Sequence, residues 1–223
     1  MGGMDVFERL QSSAAQDWAR YVDHPFVRQL GAGTLPEAAF RAYLVQDYLF
    51  LIQFARAYAL AAYKSRTPAD IRAAQAGLAA ILEETELHIR LCARWGIGAE
   101  ALAATPEHPA TVAYTRFVLD QGAAGDLLDL HVALAPCVVG YAVIGRALAP
   151  QGVEALAGHP YREWIADYAG EPYQAVAARA REHLNALAAR TLTEARLPTL
   201  VATFAAASRL EADFWQMGLD AAV

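Results

Sequence analysis

Apolar residues recur at helical spacing along almost the whole chain, and no stretch alternates apolar and polar with the period of a strand. Phe7, Leu10, Ala14, Trp18 and Tyr21 form the first stripe, which His24-Pro25 breaks. Thr34-Leu35-Pro36-Glu37 predicts the next start: Thr34 caps, Pro36 takes the first helical position, and Glu37 stands where a capping box needs an acid. Thr67-Pro68-Ala69-Asp70 repeats that signal, and its helix should run to about Trp95, where Gly96 and Gly98 stop it. Pro106 and Pro109 flank a loop before a helix holding Tyr114 and Phe117. Gly122 and Gly125 separate that helix from an apolar one over Leu127 to Ala149. A loop from Pro150 to Pro160 precedes Tyr161 to Tyr168. Gly170-Glu171-Pro172 opens a helix to about Arg190, and Pro198 opens the last, to about Asp220. No hairpin turn, internal repeat or interdomain linker interrupts this pattern. It predicts an all-α fold, a single-domain multi-helix bundle of about eight helices with no sheet. The domain spans residues 1–223, with about 5–220 as its ordered core.

Three polar residues interrupt stripes that should be apolar. One helix reads Phe40, Tyr43/Leu44, Asp47, Leu51, Phe54, Tyr58, so Asp47 falls in a core-facing slot. A second reads Leu130, Leu134, Cys137, Tyr141, Ile144, Leu148, with Cys137 and Tyr141 one turn apart on one face. Pro136 removes a helical hydrogen bond beside that thiol. The last helix reads Leu200, Phe204, Ala207, Glu211, Phe214/Trp215, Gly218, which places Glu211 in a core slot. A carboxylate in an apolar setting is costly unless partnered, and its raised pKa suits acid–base work. A cysteine attacks as its thiolate, so a nearby base or acid helps it. Tyr58, Tyr114, Tyr141 and Tyr168 offer flat surface and hydroxyl donors to a small polar ring. The same positions also have an ordinary account: a small buried thiol, paired structural acids and core tyrosines.

Composition narrows the choice of function. The chain has 223 residues, 56% hydrophobic and 19% charged, which excludes disordered and fibrous classes. A net charge of −6 without a basic run argues against nucleic-acid binding. Two cysteines, Cys92 and Cys137, make no disulfide framework, and a cytoplasmic protein with reduced thiols is expected. Met1-Gly2-Gly3-Met4 leads directly into a polar periodic segment rather than a signal peptide. Leu127–Ala149 carries Asp129, His131, Pro136 and Arg146 and reads as a buried core helix short of a clean membrane span.

Glu84-x-x-x-His88 puts an acid and an imidazole on one helix face, with Glu83, Glu86 and Cys92 close by. A di-iron site needs a second such pair. Glu182-His183 are adjacent and point apart, and Asp129-x-His131 is badly phased, so no metal site is expected and His88 reads as a hydrogen-bonded core histidine. No Gly-rich phosphate loop, Gly-x-Ser-x-Gly or zinc spacing occurs.

Read as blocks, the chain resembles the TenA family of aminopyrimidine aminohydrolases (thiaminase II), within the heme-oxygenase-like superfamily. The blocks are His24-Pro25-Phe26-Val27, Gly31 to Pro36, Phe40 to Tyr48, Glu84 to His88, Ala113-Tyr114-Thr115, Leu134-Ala135-Pro136-Cys137, Tyr161 to Ile165 with Tyr168, and Glu211 with Phe214-Trp215 and Met217. The resemblance implies Cys137 as nucleophile and Glu211 as proton donor. It implies Asp47 as the residue holding the pyrimidine's amino group and ring nitrogen. Tyr141, Tyr168 and Tyr114 would bond or stack on the ring, Phe214 would form apolar wall, and His88 would stand behind the contacting residues. Phe50 departs from the pattern, because the family often has there a tyrosine whose hydroxyl lies near the sulfur. Gln216 and Leu219 also differ from the commoner pattern.

The resemblance further implies a heme-oxygenase-like bundle, a homotetramer, no cofactor, and a small-molecule aminopyrimidine or thiamin as partner. Aminomethylpyrimidine or thiamin would be converted to hydroxymethylpyrimidine through a cysteine adduct. Neither a nucleic acid nor a membrane is an expected partner. Two rivals stay open: a heme-oxygenase-like metal-dependent oxidase, and a pyrimidine-binding or regulatory protein without turnover.

Overall fold

A computed structural model describes residues 5–223. The expectation that no signal peptide stands at Met1–Met4 falls outside the described residues. The elements in chain order are α1 (Val6–Ser13), α2 (Ala15–Val22), α3 (Pro25–Gly31), α4 (Glu37–Lys64), α5 (Pro68–Arg94), α6 (Ala99–Ala104), α7 (Pro109–Ala124), α8 (Leu127–Leu148), a 3₁₀ turn (Val153–Leu156), α9 (Arg162–Ala169), α10 (Glu171–Thr191) and α11 (Leu197–Asp220). No strand occurs among the described residues, so the fold is all-α.

The helix count exceeds the expected eight for local reasons. The first stripe is interrupted at Ala14, yet Phe7, Leu10, Ala14, Trp18 and Tyr21 are all buried, so both halves face one core. His24-Pro25 starts a helix as well as ending one: His24 Nδ1 accepts from the Phe26 N–H at 3.2 Å, and Pro25 takes the first position of α3. Six-residue α6 is too short to show a period. Thr34 is not the cap of α4. Pro36 occupies the cap position in extended conformation without a side-chain cap, and the Thr34 hydroxyl donates to the Gln29 carbonyl instead. Thr67 does cap α5, accepting from Asp70 N–H at 3.1 Å.

The described residues form two compact units. One comprises the chain up to Leu35 and His131–Ala212; the other comprises Pro36–Leu130 and Asp213–Val223. One unit boundary falls between α3 and α4, at Leu35/Pro36, and the other two fall inside α8 and α11.

In the first unit, Phe7, Trp18 and Phe204 pack as an aromatic core, with the Phe7 edge 5.4 Å from Trp18 and Trp18 stacked on Phe204 at 5.7 Å. Asn185 of α10 ties the chain start down, accepting from Val6 N–H at 2.9 Å and donating to Asp5 at 3.0 Å. Helix α8 is long and apolar enough to cross a membrane by length and composition, contrary to the sequence expectation. Of its most apolar 18-residue stretch, 83% is buried, as in a core helix.

In the second unit α4 and α5 form the most extensive helix pairing. Gly77 permits the close approach, since a Cβ there would sit 2.1 Å from the Tyr58 ring. Gln46 anchors the chain before α7: it donates to Pro106 O at 3.0 Å and accepts from His108 N–H and the Thr111 hydroxyl. Lys64 Nζ donates to the Gly122 carbonyl at 2.6 Å and to that of Gly125, satisfying the C-terminal end of α7.

In the first unit α9 lies so close to α8 that a Cβ on Gly145 would meet backbone, 2.5 Å from the Tyr168 carbonyl carbon and 2.6 Å from Ala169 N. Backbone cannot step aside as a flexible side chain can. Gly145→Ala is therefore expected to destabilise the fold by about 1–3 kcal/mol, read as a lower melting temperature by calorimetry. An unchanged melting temperature would mean that α9 is not held against α8.

Candidate active site

Asp47 sits one turn beyond Tyr43 on α4 and is 3% exposed. The Tyr43 hydroxyl donates to its Oδ2 at 3.1 Å. His88, reaching across from α5 and itself buried, brings Nε2 to 2.5 Å from the same oxygen. That contact is an ion pair whose N–H direction falls outside the range of an aligned hydrogen bond. The other ring nitrogen, Nδ1, faces the Glu84 carbonyl at 3.3 Å. Both ring nitrogens thus face acceptors. Burial works against a charged ring, but the Asp47 charge and contact, with a smaller contribution from Glu84, outweigh it and hold the His88 pKa above its ordinary value.

Cys92 lies one turn further along α5, its thiol directed at the Leu44 carbonyl at 3.9 Å. Burial, and then the Asp47 charge, push that thiol up to about 11. Cys92 is therefore protonated at neutral pH and a poor nucleophile. No disulfide links it to Cys137. Glu84 and His88 share a helix face, but no group of three His, Cys, Asp or Glu side chains is placed to hold a metal ion among the described residues.

Three sequence-predicted aromatics gather in the same unit as Asp47. Phe50, 3% exposed, has its ring centroid 5.1 Å from Tyr114 and 5.5 Å from Phe214. It also stacks on Phe54 at 4.7 Å. Tyr43 joins this wall to the carboxylate, with its ring edge against Phe214 at 6.1 Å. Phe50 carries no hydroxyl, so this face of the unit is apolar where a tyrosine would bring a donor.

The other unit holds the remaining candidates. Cys137 is buried on α8, directly after Pro136, and the Tyr21 hydroxyl donates to the Pro136 carbonyl at 3.3 Å. One turn on, Tyr141 packs against Tyr168 of α9 at 4.9 Å and Trp164 at 6.0 Å. Gln174 holds α8, α9 and α10 together there, donating to the carbonyls of Ala142 and Tyr168 at 2.8 Å each. Glu211 is 1% exposed on α11, a turn beyond buried Ser208 and Ala207.

A family model described as TENA/THI-4/PQQC matches residues 12–221, nearly the whole chain. The chain belongs to the TENA/THI-4/PQQC family. An uncharacterized protein of Haemophilus influenzae is 39% identical over 217 residues, 97% of this chain and 100% of that protein. An aminopyrimidine aminohydrolase of Halalkalibacterium halodurans is 35% identical over 216 residues, 96% of this chain and 95% of that protein. Among solved structures, a TenA family transcription regulator from Silicibacter sp. TM1040 superposes with a TM-score of 0.88 at 45% identity, covering 96% of each chain. The fold is therefore the TenA fold, as the sequence blocks implied.

Within this TenA-family chain the expected residues divide into two groups. Asp47, Phe50, Tyr114 and Phe214 belong to one unit; Cys137, Tyr141, Tyr168 and Glu211 belong to the other. Sequence reasoning missed Tyr43, whose signal was its four-residue spacing from Asp47, and Trp164, which sits 4.6 Å from Tyr168. It identified His88 but not its partner.

The raised His88 pKa sets a pH signature. A histidine whose folded pKa lies above its unfolded value of 6.5 stabilises the fold fully below that pH and loses the contribution as pH rises through the folded pKa. Asp47→Asn removes the anion responsible. The stability gap between wild type and Asp47→Asn, by urea denaturation, is expected to be about 3–5 kcal/mol below pH 6.5 and to narrow at alkaline pH. A gap that widened with rising pH would contradict a charged His88.

Proposed function

We propose that this chain is an aminopyrimidine aminohydrolase, converting 4-amino-5-aminomethyl-2-methylpyrimidine, and thiamin as a second substrate, to the 5-hydroxymethyl compound. The observation that carries this reading is the state of Asp47. Its contacts within the described residues, from Tyr43 and His88, both fall on Oδ2. Oδ1 is left as an acceptor for a ligand's amino group. A buried carboxylate backed by the His88 ring and flanked by aromatic rings suits a flat ring with an exocyclic amine beside a ring nitrogen. The 35% identity to a protein named for this activity, over 96% of the chain, supports the same substrate class.

In this reading the Cys137 thiolate adds to a ring carbon, and Glu211 gives its proton to the aminomethyl nitrogen. The carbon–nitrogen bond breaks, ammonia leaves and an exocyclic methylene remains. Water adds to that methylene, with its proton passing to the Glu211 carboxylate. The ring then recovers its aromaticity by expelling the thiolate. With thiamin, the thiazole leaves in place of ammonia. Tyr141, Tyr168 and Tyr114 bond or stack on the ring, and Phe50 and Phe214 give apolar wall. Of the two cysteines, Cys92 is unsuited to the role because its thiol is pushed up to about 11. Phe50 supplies no hydroxyl, so Glu211 and neighbouring dipoles carry the activation of Cys137.

The name of the Silicibacter neighbour raises a regulatory reading for that protein, but a net charge of −6 opposes binding to a phosphate backbone here. The test is hydroxymethylpyrimidine formation by chelator-treated protein from each substrate. Wild type should turn over at least one of them. Cys137→Ala should lose activity by at least 10³-fold, and Glu211→Gln by about 10²–10⁴-fold. Absence of turnover by folded wild type on both substrates, or undiminished activity in Cys137→Ala, would overturn the hydrolase reading.

A further inference from the structure

Helices α8 and α10 border a pocket that the proposed reaction does not use. Two contacts show that these helices run antiparallel. The Gln174 amide of α10 donates to the Ala142 carbonyl of α8 at 2.8 Å. His131, further back along α8, meets His183, further forward along α10, with ring centroids 4.7 Å apart. The pocket along this pair has a volume of about 580 Å³, within the range of small-molecule sites. Its floor is apolar, made by Val139, Ala142, Val143 and Ala177. Val143 keeps 39% of its surface exposed there, so the floor is open to an occupant. Cys137, Tyr141, Tyr168 and Glu211 take no part in the lining.

Two charges in the lining are uncommitted. Arg146 of α8 and Glu182 of α10 are exposed, and neither joins a hydrogen bond or ion pair among the described residues. The other charged groups of the lining are spent on the protein. Arg181 pairs with Asp5 and Glu8 at 3.1 Å each, and Asp5 also accepts from Asn185. The Gln174 amide donates to the carbonyls of Ala142 and Tyr168, which leaves Arg146 as the donor at that end. Arg146 stands one turn past Ala142, and Glu182 about two turns past Gln174, so the antiparallel helices carry them to opposite ends of the floor. Their Cα atoms are about 18 Å apart along the groove by helical rise. Side chains lean toward the start of their own helix, so these two lean toward each other and bring their charged ends to roughly 10 Å.

We infer that this pocket binds an elongated zwitterion: a slender apolar chain with a carboxylate on Arg146 and an ammonium on Glu182. A guanidinium fork matches a carboxylate, and the alanine and valine floor matches a methylene chain. A dianion would set its second charge against Glu182, and a dication would set one against Arg146. A compact amino acid is too short to reach both. The inference stands on α8 and α10 and is independent of the proposed reaction.

The experiment is titration calorimetry of the full chain at neutral pH with three probes: 8-aminooctanoate, octanoate and octylamine. The first carries both charges on an extended chain of roughly the required span; the others carry one each. Wild type should bind 8-aminooctanoate roughly two- to fivefold more tightly than either single-charge probe. Arg146→Gln should weaken 8-aminooctanoate and octanoate by that factor and leave octylamine unchanged. Glu182→Gln should weaken 8-aminooctanoate and octylamine and leave octanoate unchanged. Ala178→Phe, which fills the groove from an exposed position of its lining, should abolish binding of all three. All three positions are exposed, so the variants are expected to keep the fold, checked by helical circular dichroism. Equal affinity for the three probes, or losses that do not follow charge, would overturn the zwitterion. Binding that survives Ala178→Phe would put the probe elsewhere and overturn the site. A groove already covered by another protein surface would bind no probe, and that outcome also overturns the inference.

Discussion

The buried ion pair between Asp47 and His88 constrains more of this molecule than any other contact. Two charges taken out of water carry a desolvation cost of several kcal/mol each, and they are tolerated only when each finds the other. The pair therefore dictates that α4 and α5 lie close and in one register. Gly77 makes the approach possible by leaving room for the Tyr58 ring, and Tyr43 completes the acid's shell from its own helix. Such a pair adds specificity more than stability. It puts both protein contacts of Asp47 on one oxygen, Oδ2.

The same charge separates the two thiols. Cys92 is closer in character to a core residue: burial and the neighbouring carboxylate both favour its protonated form. Cys137 stands on a different helix, in the other unit, beside a proline that interrupts the backbone ladder and under a tyrosine that holds the proline's carbonyl. Two buried cysteines that look alike by composition thus stand in different surroundings. The aromatic content divides in the same way. Phe50, Tyr114 and Phe214 accompany Asp47, whereas Tyr141, Trp164 and Tyr168 accompany Cys137.

Much of this was readable from phase. A carboxylate in a core slot is unusual enough that Asp47 and Glu211 stood out from periodicity alone, and both are buried. What periodicity could not supply was the partner. His88 lies 41 positions from Asp47 along the chain, and its own stripe is consistent with an ordinary core histidine. A tertiary ion pair leaves no local trace. Start signals were legible where capping geometry was standard, as at Thr67, and misread where proline itself took the cap, as at Pro36. His24-Pro25 illustrates the same ambiguity: one dipeptide both ends α2 and starts α3. Short helices escaped notice because one or two turns cannot establish a period. The family blocks supplied roles that phase could not, since periodicity says where a residue points and nothing about which reaction it serves.

Helix α5 shows how one element can carry two demands without conflict. Residues one position apart on a helix are separated by about 100°, so the inner face carrying His88 and the outer face carrying Ile89 point in different directions. The inner face must satisfy a charge and is exacting; the outer face, where Ile71 and Leu82 are exposed, is permissive. Substitutions of His88 would alter the carboxylate's surroundings while leaving the outer face intact.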